Sequence, residues 1–208
     1  MNDRSDAEIL IIDDDASMRK ALERLLRSMG YRTRTFCSAQ EFLDTDFQSD
    51  SVACIVLDVK MPGMSGTDLQ KELRKRDLPF PIVFITGHGT IPMSVQAMKH
   101  GAVDFLEKPF DEHALVQAIS RAVEKGRQTM AFKREISDLE ERYQQLTPRE
   151  KEVLALVVAG MLNKQIAAEL GTSEKTIKVH RGRVMEKMQA GSLADLVRMA
   201  EKLNIPTP

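Results

Sequence analysis

Residues 52–66 read VACIVLDVKMPGMSG, a short apolar run that ends in an aspartate and continues into a glycine-containing loop. Cys54 to Leu57 are apolar without alternation, which is typical of a strand whose sheet is covered by helices on both faces. Similar runs, EILII and IVFIT, occur on either side, and segments of helical periodicity such as SGTDLQKELRKR separate them. This alternation indicates repeated βαβ units. We therefore predict a doubly wound α/β domain with a parallel sheet over residues 1–124.

The charge is distributed unevenly along the chain, although the net formal charge is only -1. Residues 1–124 carry 15 basic and 20 acidic side chains, whereas residues 147–208 carry 10 basic and 7 acidic ones. We expect the two ends to bind different partners. The positive balance is compatible with nucleic-acid binding, but a solvated helix face would give the same balance.

Several classes of protein are excluded by composition. No apolar run approaches the roughly 20 residues that cross a membrane, and the N-terminal MNDRSDAEILII lacks the features of a secretory signal. We therefore expect a cytoplasmic protein. Cys37 and Cys54 have no metal-ligand spacing and the four histidines are scattered, which favours buried, inert thiols over a zinc site or a disulfide.

A long helix is predicted from Glu112 to Gln145, where the chain is charged and contains no proline. Gly126 could kink or end it, and residues 125–145 would form a helical linker. Apolar residues in this region alternate at spacings of four and three: Phe132, Ile136, Leu139, Tyr143 and Leu146. Such a stripe fits a short coiled coil, or equally a helix face packed on one of the chain's own domains.

Residues 146–208 have helical character throughout. Thr147, Pro148 and Glu150 form the pattern of an N-terminal capping box, and later glycines divide the segment into about four short helices. NKQIAAEL and a basic helix flank the sequence GTS, which is the layout of a helix-turn-helix. By periodicity alone, a four-helix bundle that binds a protein partner fits equally well.

Polar residues follow the predicted strands at one edge of the sheet, where ligands bind in parallel α/β folds. They are Asp13, Asp14 and Asp15 after the first strand, Asp58, Thr86, and Lys108 with Pro109. Grouped carboxylates suit Mg²⁺, and a lysine would offset their repulsion. A carboxylate in this setting could accept a phosphoryl group.

The segments IIDDD, VLDVKMPGMSG, FITGHG and FLEKPF together resemble the four signature segments of two-component receiver domains, which have a flavodoxin-like fold. The resemblance implies that Asp58 is the phosphoacceptor and that Mg²⁺ binds Asp14 directly and Asp13 mainly through water. Further implied roles are a Mg²⁺ ligand for the Lys60 carbonyl, phosphoryl contacts for Thr86 and Lys108, a cis peptide before Pro109, and a switch aromatic at Phe105.

Two enzyme classes compete with this interpretation. Phosphatases of the haloacid-dehalogenase type also use a strand-end aspartate, but they usually place a second acid two residues later, where this chain has Lys60. A dinucleotide-binding dehydrogenase would require GxGxxG after the first strand, and that motif is absent. We therefore predict that the chain is no enzyme beyond its own phosphorylation and dephosphorylation.

The tail segments LTPRE, NKQIA and SEKTIKVHR resemble the LuxR-type helix-turn-helix domain. With the receiver, they make the whole chain similar to the FixJ branch of the NarL/FixJ response regulators. The resemblance implies base contacts for Lys178 and Val179 and phosphate contacts for Asn163, Lys175 and Thr176. Gly182 departs from many relatives, which carry a larger side chain there, so base preference stays open.

Helical periodicity of the predicted recognition helix places Ile177, Val184 and Met188 on a buried stripe. Lys175, Val179, Gly182 and Glu186 lie on the opposite face, with Lys178 and Arg183 at its flanks. Because Arg181 is close to the buried stripe, we expect it to pair with an acid inside the domain, with Glu150 as a candidate.

The resulting hypothesis is that a sensor histidine kinase phosphorylates Asp58. The chain would then form a homodimer, bind promoter DNA and act on RNA polymerase, more as an activator than as a repressor. Two alternatives are a DNA-binding protein that works without phosphorylation and an adaptor whose helical tail binds a protein. Both DNA-binding interpretations, with and without phosphorylation, predict a steep loss of DNA affinity as the salt concentration rises, and the adaptor does not.

Overall fold

The computed structural model describes residues 7–45, 52–76, 78, 80–87 and 90–206. It contains a parallel α/β unit followed by a helical unit. The strands are β1 (Glu8–Ile12), β2 (Arg32–Phe36), β3 (Val52–Asp58), β4 (Ile82–Thr86) and β5 (Asp104–Glu107). The helices are α1 (Ala16–Ser28), α2 (Ala39–Leu43), α3 (Gly66–Lys75), α4 (Ile91–Lys99), α5 (Glu112–Gln144), α6 (Pro148–Val158), α7 (Asn163–Glu169), α8 (Glu174–Met188) and α9 (Leu193–Lys202).

All pairings in the sheet are parallel, and the strand order is β2-β1-β3-β4-β5. The order reverses between β1 and β3, so the carboxyl ends of these two strands flank the crevice where doubly wound sheets bind ligands. Alternate residues of β1 enter two separate cores: Ile9 and Ile11 pack with α1 and α5, while Leu10 and Ile12 pack with α2, α3 and α4. The predicted doubly wound fold is confirmed.

Strand β2 was not predicted from the sequence. Its residues RTRTF are mostly polar and partly exposed, and only Phe36 is fully buried. Within the part of the chain that the structure describes, the strand lies at the edge of the sheet and pairs with β1 alone. An edge strand can keep polar side chains because one of its sides faces water, so its sequence lacks the apolar run that identifies the inner strands.

Helix α5 runs from Glu112 to Gln144, so the predicted long helix is confirmed, and of the two alternatives for Gly126 the one in which it ends the helix is wrong. Leu139 is buried, and Tyr143 packs on the same hydrophobic cluster as Leu146 in the helical unit. The packing alternative is therefore confirmed for the second half of the apolar stripe. Phe132, at its start, is 57% exposed.

Over the described residues up to 206, the tail after α5 forms four helices, α6 to α9, as predicted. Thr147 caps α6, with its hydroxyl accepting from the Glu150 N–H and the Glu150 carboxylate accepting from the Thr147 N–H. This reciprocal bonding confirms the capping box. The predicted buried stripe of α8 is confirmed as well, because Ile177, Val184 and Met188 are at most 1% exposed.

The two cysteines lie in different environments. Cys54 is buried in β3, and burial raises the pKa of its thiol. Cys37 is exposed, so the prediction of two buried thiols is wrong for this residue, which follows the edge strand. Among the described residues, no helix has both the length and the apolar character needed to span a membrane.

Gly66 provides a test of how α3 meets β3. A Cβ atom on Gly66 would lie 2.2 Å from the backbone carbonyl oxygen of Asp58, which is far inside contact distance. We expect Gly66→Ala to destabilise the α/β unit by about 1–3 kcal/mol, as overpacking does. Gly87→Ala is the matched control, because its added Cβ meets nothing within 4 Å.

The measurement is urea denaturation followed by tyrosine fluorescence in a Tyr143→Phe background. The chain has no tryptophan and two tyrosines, so Tyr31, which is buried in the α/β core, would then report on this unit alone. Equal urea midpoints for the Gly66→Ala and Gly87→Ala chains would show that the close approach of α3 to the Asp58 carbonyl does not limit the side chain at position 66.

Candidate functional site

The carboxylates predicted at the sheet edge are brought together. Asp13, Asp14 and Asp58 each offer an oxygen, and these oxygens all lie within 4.8 Å of one another. Asp13 and Asp58 are buried, with 2% and 6% exposure, whereas Asp14 is exposed. The cluster therefore has a buried interior and one side open to solvent.

Lys108 places its ammonium group between the two buried carboxylates. Its Nζ lies 2.8 Å from Asp13 Oδ2 and 3.4 Å from Asp58 Oδ1. The peptide between Lys108 and Pro109 is cis, as the family resemblance implies, and the Lys108 N–H donates to the Thr86 carbonyl. The hydrogen bond to the last residue of β4 thus fixes the position of the Lys108 backbone beside the acidic cluster.

The surroundings shift the acidity of the site. Burial raises the pKa of the Asp58 carboxyl, and the neighbouring Asp13 and Asp14 carboxylates raise it further, while Lys108 opposes the shift. Burial lowers the pKa of Lys108, but its hydrogen bonds and ion pairs with Asp13 and Asp58 outweigh this, so the net pKa is raised. The lysine therefore stays charged and partly neutralises the cluster.

A contact that the sequence did not suggest holds Asp13. The Arg19 guanidinium donates to the Asp13 carbonyl at 2.7 Å, and the Asp15 N–H donates to Asp13 Oδ1 at 2.8 Å. Asp15 itself caps α1 by accepting from the Ser17 N–H. Of the three successive aspartates, Asp15 thus caps α1, whereas Asp13 and Asp14 belong to the carboxylate cluster. No spacing rule links Arg19 to a carbonyl six residues earlier.

The other predicted residues of this site lie along the same edge. Thr86 is fully buried at the end of β4, and Lys60 is exposed just after β3. Phe105 is half-buried in β5, in register with Phe84, and the two ring centroids are 6.2 Å apart. Thr86 thus ends β4, the strand next to β3, while Phe105 lies on β5, the strand beyond it, and Lys108 directly follows β5.

In the helical unit, α8 presents the predicted polar face to solvent. Lys175 and Lys178 are exposed, and Val179 is 49% exposed although it is apolar. Gly182 lies on the same face, where an added Cβ would meet nothing within 4 Å. Thr176 is only partly buried, and its N–H donates to the capping Ser173 hydroxyl. The surface is open and carries cationic side chains, as a DNA-contacting face requires.

The predicted partner of Arg181 is wrong. Its guanidinium donates to Asn163 Oδ1 at 3.2 Å, and it does not meet Glu150. The buried Glu150 carboxylate instead accepts from Lys187 at 2.7 Å, and the Lys187 Nζ also lies 3.2 Å from the Gln145 carbonyl. Lys187 lies about 1.7 turns beyond Arg181 along α8, and from there its side chain reaches Glu150 near the start of α6. Asn163, which was expected to face a phosphate, thus also joins α7 to α8.

A doubly wound sheet with a buried acidic edge, followed by a helical domain with an open basic helix, defines a signalling domain joined to a DNA-binding domain. Comparison with protein-family models agrees. Residues 9–120 match the response regulator receiver domain, and residues 144–200 match the bacterial regulatory proteins of the luxR family.

Whole-chain comparisons extend this match. Nodulation protein W of Bradyrhizobium diazoefficiens is 49% identical over 96% of this chain and 87% of its own length. Response regulator protein TodT of Pseudomonas putida is 46% identical over 98% and 88%. The solved structure of response regulator StyR has a TM-score of 0.83, with 45% identity over 95% of this chain and 99% of that one. The chain belongs to the NarL/FixJ family of response regulators and is a DNA-binding transcriptional regulator.

The Glu150–Lys187 pair gives a stability prediction for the helical unit. Lys187→Met removes the cation from a carboxylate that is 2% exposed, so we expect a loss of about 1–3 kcal/mol. Lys164→Met is the control, because Lys164 is an exposed lysine on α7. The measurement is urea denaturation read by Tyr143 fluorescence in a Tyr31→Phe background.

The same pair predicts a pH dependence. The pKa of Glu150 lies below its usual range, mainly because Lys187 donates to it and also because the Thr147 N–H does. A carboxylate whose pKa is lowered by folding stabilises the fold at any pH above the pKa that the same group has in the unfolded chain. This stabilisation is lost as the pH falls towards the lowered pKa. Stability should therefore decline below about pH 4.3, and Lys187→Met should flatten the decline. Parallel pH profiles for both chains would contradict the assignment.

Proposed function

We propose that Asp58 accepts a phosphoryl group from the phosphohistidine of a sensor histidine kinase. One Asp58 oxygen would bond to phosphorus while the bond from phosphorus to the histidine nitrogen breaks. The observation that carries this proposal is the position of Asp58, whose carboxylate lies 3.4 Å from the Lys108 ammonium and within 4.8 Å of oxygens of Asp13 and Asp14. Lys108 and the Thr86 hydroxyl would stabilise the charge on the transferred oxygens.

The carboxylate cluster also fits Mg²⁺. Asp13, Asp14 and Asp58 supply hard oxygen donors close together, and the exposed Asp14 leaves an open side for water and phosphate ligands. The Lys60 carbonyl is proposed as a further ligand. When bound, the ion would neutralise negative charge on the phosphoryl oxygens. The protein's own part is to hold these donors and to keep Lys108 charged beside them.

Asp58→Asn is the direct test. The amide keeps the shape of the side chain but removes the nucleophile, so the chain should fold and fail to gain a phosphoryl group from acetyl phosphate with Mg²⁺. Intact-mass measurement checks this, and exposed Asp44→Asn is the control that should be phosphorylated normally. A phosphorylated Asp58→Asn chain, with the label mapped elsewhere, would refute the assignment.

We propose that phosphorylation produces a homodimer through the face formed by α4 and β5. On α4, three apolar side chains at helical spacing are exposed to solvent: Ile91 at 81%, Val95 at 45% and Met98 at 46%. An apolar stripe on the helix that follows Thr86 is a surface that a second copy could cover. β5 contributes Phe105, the proposed switch residue.

The dimer interface is tested with Ile91→Ser combined with Val95→Ser. Light scattering at micromolar concentration should show that phosphorylation raises the mass of the unaltered chain but not of this variant, whose dimer affinity should fall by roughly tenfold or more. Leu193→Ser, which changes an exposed leucine on α9, should dimerise normally. Equal dimerisation of both variants would exclude the α4 face.

For DNA binding, we propose that α8 enters the major groove, with Lys178 and Val179 at base edges. Lys175, Thr176 and Asn163 would lie near phosphates. The exposure of Val179 supports this proposal, since an apolar side chain that is half open to water on a basic helix has no role in the core of its own unit. A dimer would bind paired half-sites near a promoter, and we expect it to act in the cytoplasm and to activate RNA polymerase.

Lys178→Ala and Val179→Ala should each weaken binding to a selected operator by about 1–3 kcal/mol while leaving the melting temperature nearly unchanged. Lys202→Ala removes the charge of an exposed lysine on α9, together with its ion pair to Glu135, and is the control away from the proposed DNA face. Titrations at two salt concentrations also distinguish DNA binding from the adaptor alternative. Unchanged operator affinity in both variants would overturn the proposed DNA face.

A further inference from the structure

Arg181 and Asn163 form a polar contact at the border of the proposed DNA face. The Arg181 guanidinium, on α8, donates to Oδ1 of Asn163, the first residue of α7, at 3.2 Å. Its neighbours on the proposed face are Gly182, the next residue, and Lys178, three residues earlier, and both are exposed. Arg181 itself is only partly exposed, because it lies about 40° from the buried stripe of α8. The contact is therefore placed where the core of the helical unit meets the surface proposed to bind DNA.

The chemistry of the two side chains fixes the orientation of the Asn163 amide. A guanidinium has five N–H donors and no acceptor, whereas an amide has an acceptor oxygen at one end and a donor NH₂ group at the other. If the amide were rotated by half a turn, donors would face donors and the hydrogen bond would be lost. Arg181 therefore holds Oδ1 of Asn163, and the NH₂ group has to point away from the guanidinium.

The NH₂ group of Asn163 has no acceptor within the described part of the chain, where the one side-chain hydrogen bond of Asn163 is the bond to Arg181. Its nitrogen is also not among the buried polar atoms that lack a partner. The NH₂ group is therefore open to solvent. Asparagine amides are among the groups that contact DNA phosphates, and such contacts set the register and orientation of a protein on the duplex.

We propose that Arg181 is a positioning residue for DNA binding, which keeps the NH₂ group of Asn163 turned outward so that it donates to a phosphate of the operator backbone. This inference rests on the DNA face proposed above and adds to it a residue that does not touch the nucleic acid. Without Arg181, the amide would be free to present its oxygen to the phosphate, where like partial charges repel each other. Holding the donor in place before DNA arrives removes the cost of ordering it on binding.

The test is a scan of a selected operator in which one phosphate per half-site at a time is replaced by an uncharged methylphosphonate. The full chain is used with acetyl phosphate and Mg²⁺, and each modified duplex is compared with the unmodified one. Replacing the phosphate that Asn163 contacts should weaken binding of the unaltered chain about fivefold or more, but binding of Asn163→Ala less than about twofold. The position at which these two chains differ is termed the Asn163 phosphate.

Arg181→Met keeps the apolar stem of the side chain and removes its donors. Its sensitivity to replacement of the Asn163 phosphate should fall from about fivefold to about twofold or less. Arg183→Met is the matched control, because it removes the same charge from an exposed residue of the same helix and should keep the full sensitivity. Thermal melts establish that each variant is folded at the temperature of the scan.

Four results would overturn the proposal: full sensitivity of Asn163→Ala at every phosphate, full sensitivity of Arg181→Met at the Asn163 phosphate, equal loss of sensitivity in Arg183→Met, or a further phosphate to which Arg181→Met alone becomes insensitive. The first two are expected if the contact only ties α7 to α8, since overall affinity would then fall with the pattern of phosphates unchanged. The last would mean that Arg181 contacts DNA directly.

Lys178→Ala on the unmodified operator separates the two levels of failure. Weaker binding of that variant together with any of these four results would remove the role of Arg181 and leave the DNA face in place. Unchanged binding of Lys178→Ala and Val179→Ala would overturn the DNA face and the role of Arg181 with it.

Discussion

Repulsion between buried carboxylates is the constraint on which the receiver half of this protein depends. Asp13 directly follows β1 and Asp58 ends β3, the two neighbouring strands at which the sheet order reverses, and both side chains are removed from water. Two such charges would normally force one group to take up a proton. Lys108 makes the arrangement possible because its ammonium contacts both carboxylates, and its own position depends on a backbone bond to Thr86.

This dependence connects the acidic site to the surface proposed for dimerisation. Thr86 ends β4, Lys108 follows β5, and Phe84 and Phe105 pack against each other between these two strands. The exposed apolar stripe of α4 begins five residues after Thr86. A change of charge at Asp58 would therefore act first on Thr86 and Lys108, which lie at the ends of β4 and β5. These two strands lead directly to the surface proposed for dimerisation.

The DNA-binding half is positioned by polar contacts of a different kind. Its hydrophobic cluster fixes which face of α8 is buried, but three hydrogen-bonded ties connect its helices end to end. Arg149 donates to the Leu170 carbonyl at 2.5 Å, Arg181 to Asn163, and Lys187 to Glu150. Each tie uses a long cationic side chain whose stem can lie along the apolar core while its head reaches a partner on another helix. The open face of α8 is left free of these ties.

The sequence by itself determined the features that depend on local order along the chain. Unbroken apolar runs predicted the inner strands, strand-end residues predicted the acidic site, and the period of 3.6 residues predicted that Ile177, Val184 and Met188 are buried. Tertiary structure alone decided the rest. The edge strand β2 has no apolar run to identify it, because half of its surroundings are water. Lys187 pairs with Glu150 across 37 residues, and Arg19 holds the Asp13 carbonyl, because side-chain reach in three dimensions follows no sequence period.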